Sequence, residues 1–169
     1  MRKCKAACFL VALLFSFPVN AQDFQNGVQA YVQGKYSLAL REWLPLAGKG
    51  HASAQFSVGA LYAEGRGTKQ DFGWALHWFR SAAEQGHQRA QHNLAVMYER
   101  GRGVAKDQKV AACWYHKAAS QGDFRSRYNL AVMYTLGYGI EKNLILARNI
   151  LAGKAVAYEH QNCAPLRLF

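Results

Sequence analysis

The stretch YERGRGVAKD, residues 98–107, decides how this chain is to be read. Two glycines flank an arginine and a lysine follows, which invites comparison with a phosphate-binding loop. Such a loop needs Gly, four residues and then Gly-Lys-Ser/Thr, so that consecutive backbone N–H groups converge on the anion. That spacing is missing, and no strand pattern feeds the loop. The stretch also recurs: YAEGRGTKQD stands at 62–71 and YTLGYGIEKN at 134–143, each thirty-six residues from its neighbour. A loop repeated at a fixed period is the joint of a repeat, not one active site.

The frames 51–86 and 87–122 share fourteen identical positions, and a third frame begins at Asp123. Each reads as a helix hairpin. Ala90, Leu94, Met97 and Tyr98 recur at helical spacing and give a first helix with one apolar stripe. Gly101 ends that helix in the left-handed conformation that satisfies its last carbonyls, and Gly103 continues the turn. Asp107 caps the second helix, whose stripe is Ala111, Trp114, Tyr115, Ala118 and Ala119. Gly65, Gly67 and Asp71, then Gly137, Gly139 and Asn143, repeat these roles. Trp78 and Trp114 are read as core rather than as a sugar platform, because they hold the same place in both frames. Arg102, between the two glycines, is expected to point into solvent. The expected architecture is an all-α superhelix of stacked antiparallel hairpins. Residues 22–50 form a shortened capping hairpin, 51–86, 87–122 and 123–158 form three repeats, and 159–169 form a tail. The third repeat is expected to have a degenerate second helix, since Ile150 replaces tryptophan and Lys154 replaces alanine.

The first 21 residues read differently. Arg2, Lys3 and Lys5 precede an apolar run from Ala6 to Phe17, and Val19-Asn20-Ala21 has the small-x-small pattern of a signal-peptide cleavage site. The run is too short to span a ~30 Å hydrocarbon layer. Cleavage after Ala21 would remove Cys4 and Cys8 and lower the net charge from +11 to +8. Cys113 and Cys163 remain. A disulfide between them is left open, and nothing in their spacing brings them together. The basic balance would raise nucleic acid as a partner in the cytosol, but an exported protein meets little of it. An acidic protein or an anionic envelope surface is the expected alternative, and solubility is the plainer reason for the charge.

The spaced residues Ala90, Leu94, Tyr98, Gly101, Gly103, Asp107, Ala111, Trp114, Ala118, Ala119, Gln121 and Gly122 resemble the signature of the Sel1-like repeat family, relatives of the tetratricopeptide repeats. The resemblance covers residues 51–153 well and 23–50 loosely. It implies a non-catalytic scaffold or adaptor that binds a protein partner, and with the signal-like start the expectation is a periplasmic or secreted protein of the bacterial envelope, expected as a monomer. The alternatives are a binder of anionic polymer or peptidoglycan fragments and, last, a β-lactamase-like cell-wall enzyme. Some exported relatives carry such a label, but the S-x-x-K motif is absent at every serine here, as are H-E-x-x-H and G-x-S-x-G. His51, His87 and His92 have poor metal spacing, so no metal and no cofactor is expected.

Binding residues are sought where the frames differ. One position of the first helix, expected on the concave face of the stack, holds Phe56, His92 and Tyr128. Its neighbour holds Gln55, Gln91 and Arg127. Two turns further stand Ala63, Glu99 and Thr135. Gln55, Phe56, Gln91, His92, Glu99, Arg127 and Tyr128 are therefore the expected partner-binding set. The competing reading packs the rings of Phe56, His92 and Tyr128 between adjacent first helices.

Overall fold

The computed structural model describes residues 21–154, and these form eight α-helices with no strand among them. The expected leader, apart from Ala21, and the expected tail lie outside the described residues. Helices α1 (Ala21–Val32) and α2 (Tyr36–Gly48) make the first hairpin. The pairs α3 (Ala52–Glu64) with α4 (Phe72–Glu84), α5 (Gln88–Arg100) with α6 (Gln108–Ser120) and α7 (Phe124–Leu136) with α8 (Leu144–Leu151) follow. Each helix packs mainly on its neighbours in sequence, which makes the protein an all-α helical repeat solenoid. Among the described residues no helix is long and apolar enough to cross a membrane.

Local chemistry sets the boundaries. The first helices of the three repeats end at Gly65, Gly101 and Gly137, all left-handed, with φ 67°, 67° and 77°. The second helices start on Asp71, Asp107 and Asn143, whose side chains accept from backbone N–H groups of the first turn. The first helices also have a repeated cap. His51 Nδ1 accepts from the Ala54 N–H, His87 Nδ1 from Ala90, and Asp123 takes the same place before Ser126. Arg102 is exposed, as expected, and its guanidinium also lies over the Phe72 ring, 5.7 Å from the centroid. The ring beneath the loop comes from the preceding frame, so one frame taken alone does not show that contact.

The core runs along the stack. Leu94, Ala95, Tyr115 and Ala118 are fully or almost fully buried, and Leu61, Val58 and Ala54 continue it into the first repeat. The paired alanines at 82 and 83 are both buried, which lets α4 and α5 approach closely. Helix α8 is shorter than α4 and α6, eight residues against thirteen, and closes at Gly153 with φ 72°. Cys113 is buried and disulfide-bonded, and the other three cysteines lie outside the described residues. Repeat spacing gives no reason to expect that bond, because spacing places only residues that belong to the regular frames.

Candidate functional site

The seven candidate residues do not form one binding surface. Gln55 and Gln91 are buried, and each does the same structural work. Gln55 Nε2 donates to the Ala47 carbonyl at 3.1 Å, and its Oε1 accepts from Gln85 Nε2 at 2.7 Å. Gln91 repeats both bonds with Ala83 and Gln121 at the same distances. These amides latch each repeat to the end of the preceding one. Burying an amide is costly unless both its donor and its acceptor find partners, and here both do.

The ring positions obey a second joint rule. Phe56 stacks on His87, the cap of the next repeat, with ring centroids 4.7 Å apart. Phe24 does the same to His51 at 5.2 Å. His92 occupies the corresponding place against Asp123, with Nδ1 3.1 Å from Oδ2. Phe56 and His92 therefore pack between adjacent first helices. Tyr128 differs, being 61% exposed. Glu99 accepts from the buried Tyr115 hydroxyl at 2.8 Å, and burial, followed by this contact, pushes that hydroxyl's pKa up. Of the seven, only Tyr128 and the half-buried Arg127 have side chains uncommitted to a joint.

His92, Asp123 and Ser126 come together in a way that resembles an acyl-transfer triad, but the connections are wrong for one. His92 Nδ1 is 2.8 Å from Ser126 Oγ, while Ser126 Oγ donates to Asp123 Oδ2 at 2.6 Å. In a catalytic triad the serine faces one ring nitrogen and the carboxylate the other, so that the base can take the hydroxyl proton. Here one nitrogen meets both, the hydroxyl proton is committed to the carboxylate, and Ser126 has no exposed surface. The cluster is the N-terminal cap of α7, extended by one residue of the preceding repeat. Burial and the Arg125 charge keep His92 below its usual pKa, against the pull of Asp123 and Glu99. Its contact with Asp123 is thus a hydrogen bond from a neutral imidazole. Burial alone would raise the Asp123 carboxyl, but the Ser126 hydrogen bonds, His92 and Arg125 hold it below its usual value.

The same logic gives a pH dependence at His87. Its pKa is lowered by burial first and by Arg89 second, and its Nδ1 must stay unprotonated to accept the Ala90 N–H. The unfolded state therefore takes up this proton before the folded one. The stabilisation is complete above the unfolded value of about 6.5 and declines as pH falls through it. His87→Asn keeps a capping acceptor without the titration. Between about pH 7.5 and 5.5 the variant's melting temperature should fall less than that of the wild type. Parallel slopes in the two proteins would show that His87 does not couple folding to protons.

Sequence reasoning misses Asp123 and Ser126. A signal is present: the frame that exchanges Phe56 for His92 is followed by one that exchanges His87 for Asp123 and Ala90 for Ser126. Exchanges that occur together mark a contact between frames. It also passes over Trp74, half exposed and stacked on Tyr62 and Trp78. Among the described residues, no group of three or more His, Cys, Asp or Glu side chains is placed to hold a metal ion.

Comparison with known proteins agrees with this architecture. A family model described as the Sel1 repeat matches residues 52–87, 88–123 and 125–151. The protein is similar to a crystal structure of a protective antigen of uropathogenic Escherichia coli strains displaying an SLR fold. Identity is 34% and the TM-score 0.74, over 78% of this chain and 29% of that one. It is also similar to a Sel1 repeat protein from Oxalobacter formigenes, with 31% identity and a TM-score of 0.74, over 79% of this chain and 53% of that one. The protein thus spans less than two thirds of either structure. No curated protein matches it. With three consecutive repeat matches covering more than half of its length, the protein belongs to the Sel1 repeat family, whose repeats generally serve as non-catalytic protein-interaction modules.

Proposed function

We propose that this protein is a non-catalytic scaffold of the bacterial cell envelope, exported to the periplasm or beyond, that binds a protein partner through its repeats. The observation that carries the reading is where its apolar surface is left open. Of the nine large hydrophobic residues exposed among the described residues, seven belong to the third repeat: Phe124, Tyr128, Leu136, Tyr138, Leu144, Ile145 and Leu151. Concentrated apolar exposure marks an interaction surface more often than scattered residues do. At the Tyr128 and Tyr138 positions the earlier repeats instead make contacts across a joint, through Phe56 and His92 and through Arg66 and Arg102. Tyr128 and Arg127, the two candidate residues uncommitted to a joint, lie in this repeat, so partner binding is assigned to its surface.

Export rests on the leader-like residues 1–21 and on the family resemblance. The test combines fractionation with crosslinking in cells. The protein should be found in the envelope or medium with its N-terminus at Gln22. A crosslinked partner should bind the purified mature protein directly, and Tyr128→Ala should weaken that binding by about 1–2 kcal/mol, as expected of an aromatic anchor. A protein confined to the cytoplasm would sink the envelope role. Purified protein that binds no crosslinked partner would sink the scaffold.

A further inference from the structure

The latch between repeats is built twice in one way and a third time in another. Where Gln55 and Gln91 stand in the first two repeats, the third has Arg127. A guanidinium donates hydrogen bonds but accepts none, so Arg127 cannot repeat the exchange that Gln91 makes with Gln121. The helix beside it is also cut short, because α8 stops at Leu151 and turns at Gly153. Three more exchanges change the chemistry of the same place: Ile150 for Trp114, Gly153 for Lys117 and Ser120 for Glu84.

The result is a crevice of about 270 Å³ between the ends of α6 and α8 and the side of α7. Leu130 and Ile150, both buried, form its apolar floor. Arg127, Lys154, His116 and Ser120 also line it, and among the described residues no carboxylate does. One repeat earlier the corresponding crevice contains Glu84 as well as Lys117, and the Lys117 ammonium lies over the Trp114 ring at 4.2 Å. There the acid balances the lysine and the aromatic ring holds the ammonium. In the third repeat the acid and the ring are gone and two permanent cations converge. Among the described residues, neither the Arg127 nor the Lys154 side chain has a hydrogen-bond or ion-pair partner.

Two unpaired cations above an apolar floor are complementary to an anion that carries hydrocarbon. From this we infer that the crevice binds a carboxylate on a short apolar stem, presented by an acidic segment of a protein partner. The inference rests on the scaffold reading and adds the chemistry of the partner. An internal glutamate and the free terminal carboxylate of a segment ending in an apolar residue share this chemistry. A phosphate lacks the stem that Leu130 and Ile150 would cover.

The test is an NMR titration of the mature protein with four short peptides. One carries internal glutamates and an amidated end, and its control has glutamine in their place. Another ends in a free C-terminal leucine, and its control is the amide. At least one carboxylate peptide should shift the signals of Arg127, Leu130, Ile150 and Lys154, and its own control should not. The pair that responds identifies the source. In the double variant Arg127→Gln, Lys154→Ala, which installs the residues of the second repeat, the dissociation constant should rise at least about tenfold. Added salt should weaken wild-type binding.

Equal binding of a peptide and its uncharged control would overturn the inference, as would unchanged affinity in the double variant or an absence of shifts at millimolar peptide. Inorganic phosphate binding as tightly as the peptides would also overturn it, since the apolar stem would then count for nothing. If the double variant held its crosslinked partner with full affinity, this site would fall while the scaffold reading stood.

Discussion

Gly103→Ala should destabilise the protein by about 3 kcal/mol or more, and Gly101→Ala by only about 1–2 kcal/mol. Both glycines are left-handed, with φ 69° and 67°. The left-handed region alone is unfavourable for any residue with a Cβ, and this sets the cost at Gly101. There the nearest atom to an added Cβ is the Lys106 Cβ at 3.3 Å, a contact that a shift of a few tenths of an ångström within the same loop relieves. At Gly103 the added carbon would lie 2.4 Å from the Phe72 carbonyl oxygen and 2.6 Å from its carbon. That neighbour is backbone, and it belongs to the start of α4 in the preceding repeat, so relief requires the two repeats to separate. Gly122, with φ 94° and nothing within 4 Å, is the control for backbone cost without a clash. Urea unfolding of the three alanine variants should rank Gly103 well above Gly101 and Gly122. Equal losses would mean that the loop is not held against the preceding repeat.

This ranking shows how far the sequence is legible. Period, hairpin order, the glycine ends of the first helices and the Asp or Asn caps can all be read within one frame, because each is satisfied by residues a few positions away. Gly103 can be read as a turn glycine for the same reason. Its stronger constraint, contact with Phe72, comes from thirty-one positions earlier in another frame. The candidate residues divide on the same ground. Variation between frames reads as freedom to face a partner, yet Phe56 and His92 vary because their neighbours across the joint, His87 and Asp123, vary with them. Gln55 and Gln91 are the same residue, and their sameness is itself the sign of a shared latch. Arg127, where that sameness breaks, is the departure that carries information. Frames must be compared in pairs that touch, not position by position.

Asp123→Ala should be the other severe substitution, costing about 3 kcal/mol. The carboxylate accepts from the Ser126 N–H at 2.9 Å and from the Ser126 hydroxyl at 2.6 Å, and it also faces His92 Nδ1. Removing it loses a helix cap and leaves the buried Ser126 hydroxyl and His92 Nδ1 with only each other as partners. Asp123→Asn retains an acceptor oxygen and should cost less, about 1 kcal/mol. The structure also supplies a rescue. The preceding joint solves the same packing problem with Phe56 against His87 and with Ala90 in place of Ser126. Copying that joint with His92→Phe, Asp123→His and Ser126→Ala together should recover most of the loss. His92→Phe alone sets a ring against the buried carboxylate, and Asp123→His alone sets two imidazoles in contact. The single variants should therefore sum to well over the triple variant, with a coupling of about 1–3 kcal/mol of the kind expected for residues in one network. Thermal and urea unfolding of the set measure it. A triple variant no more stable than the sum of its parts would mean that the two joints are not interchangeable, and that the His92, Asp123 and Ser126 cluster is kept for something other than holding repeats together.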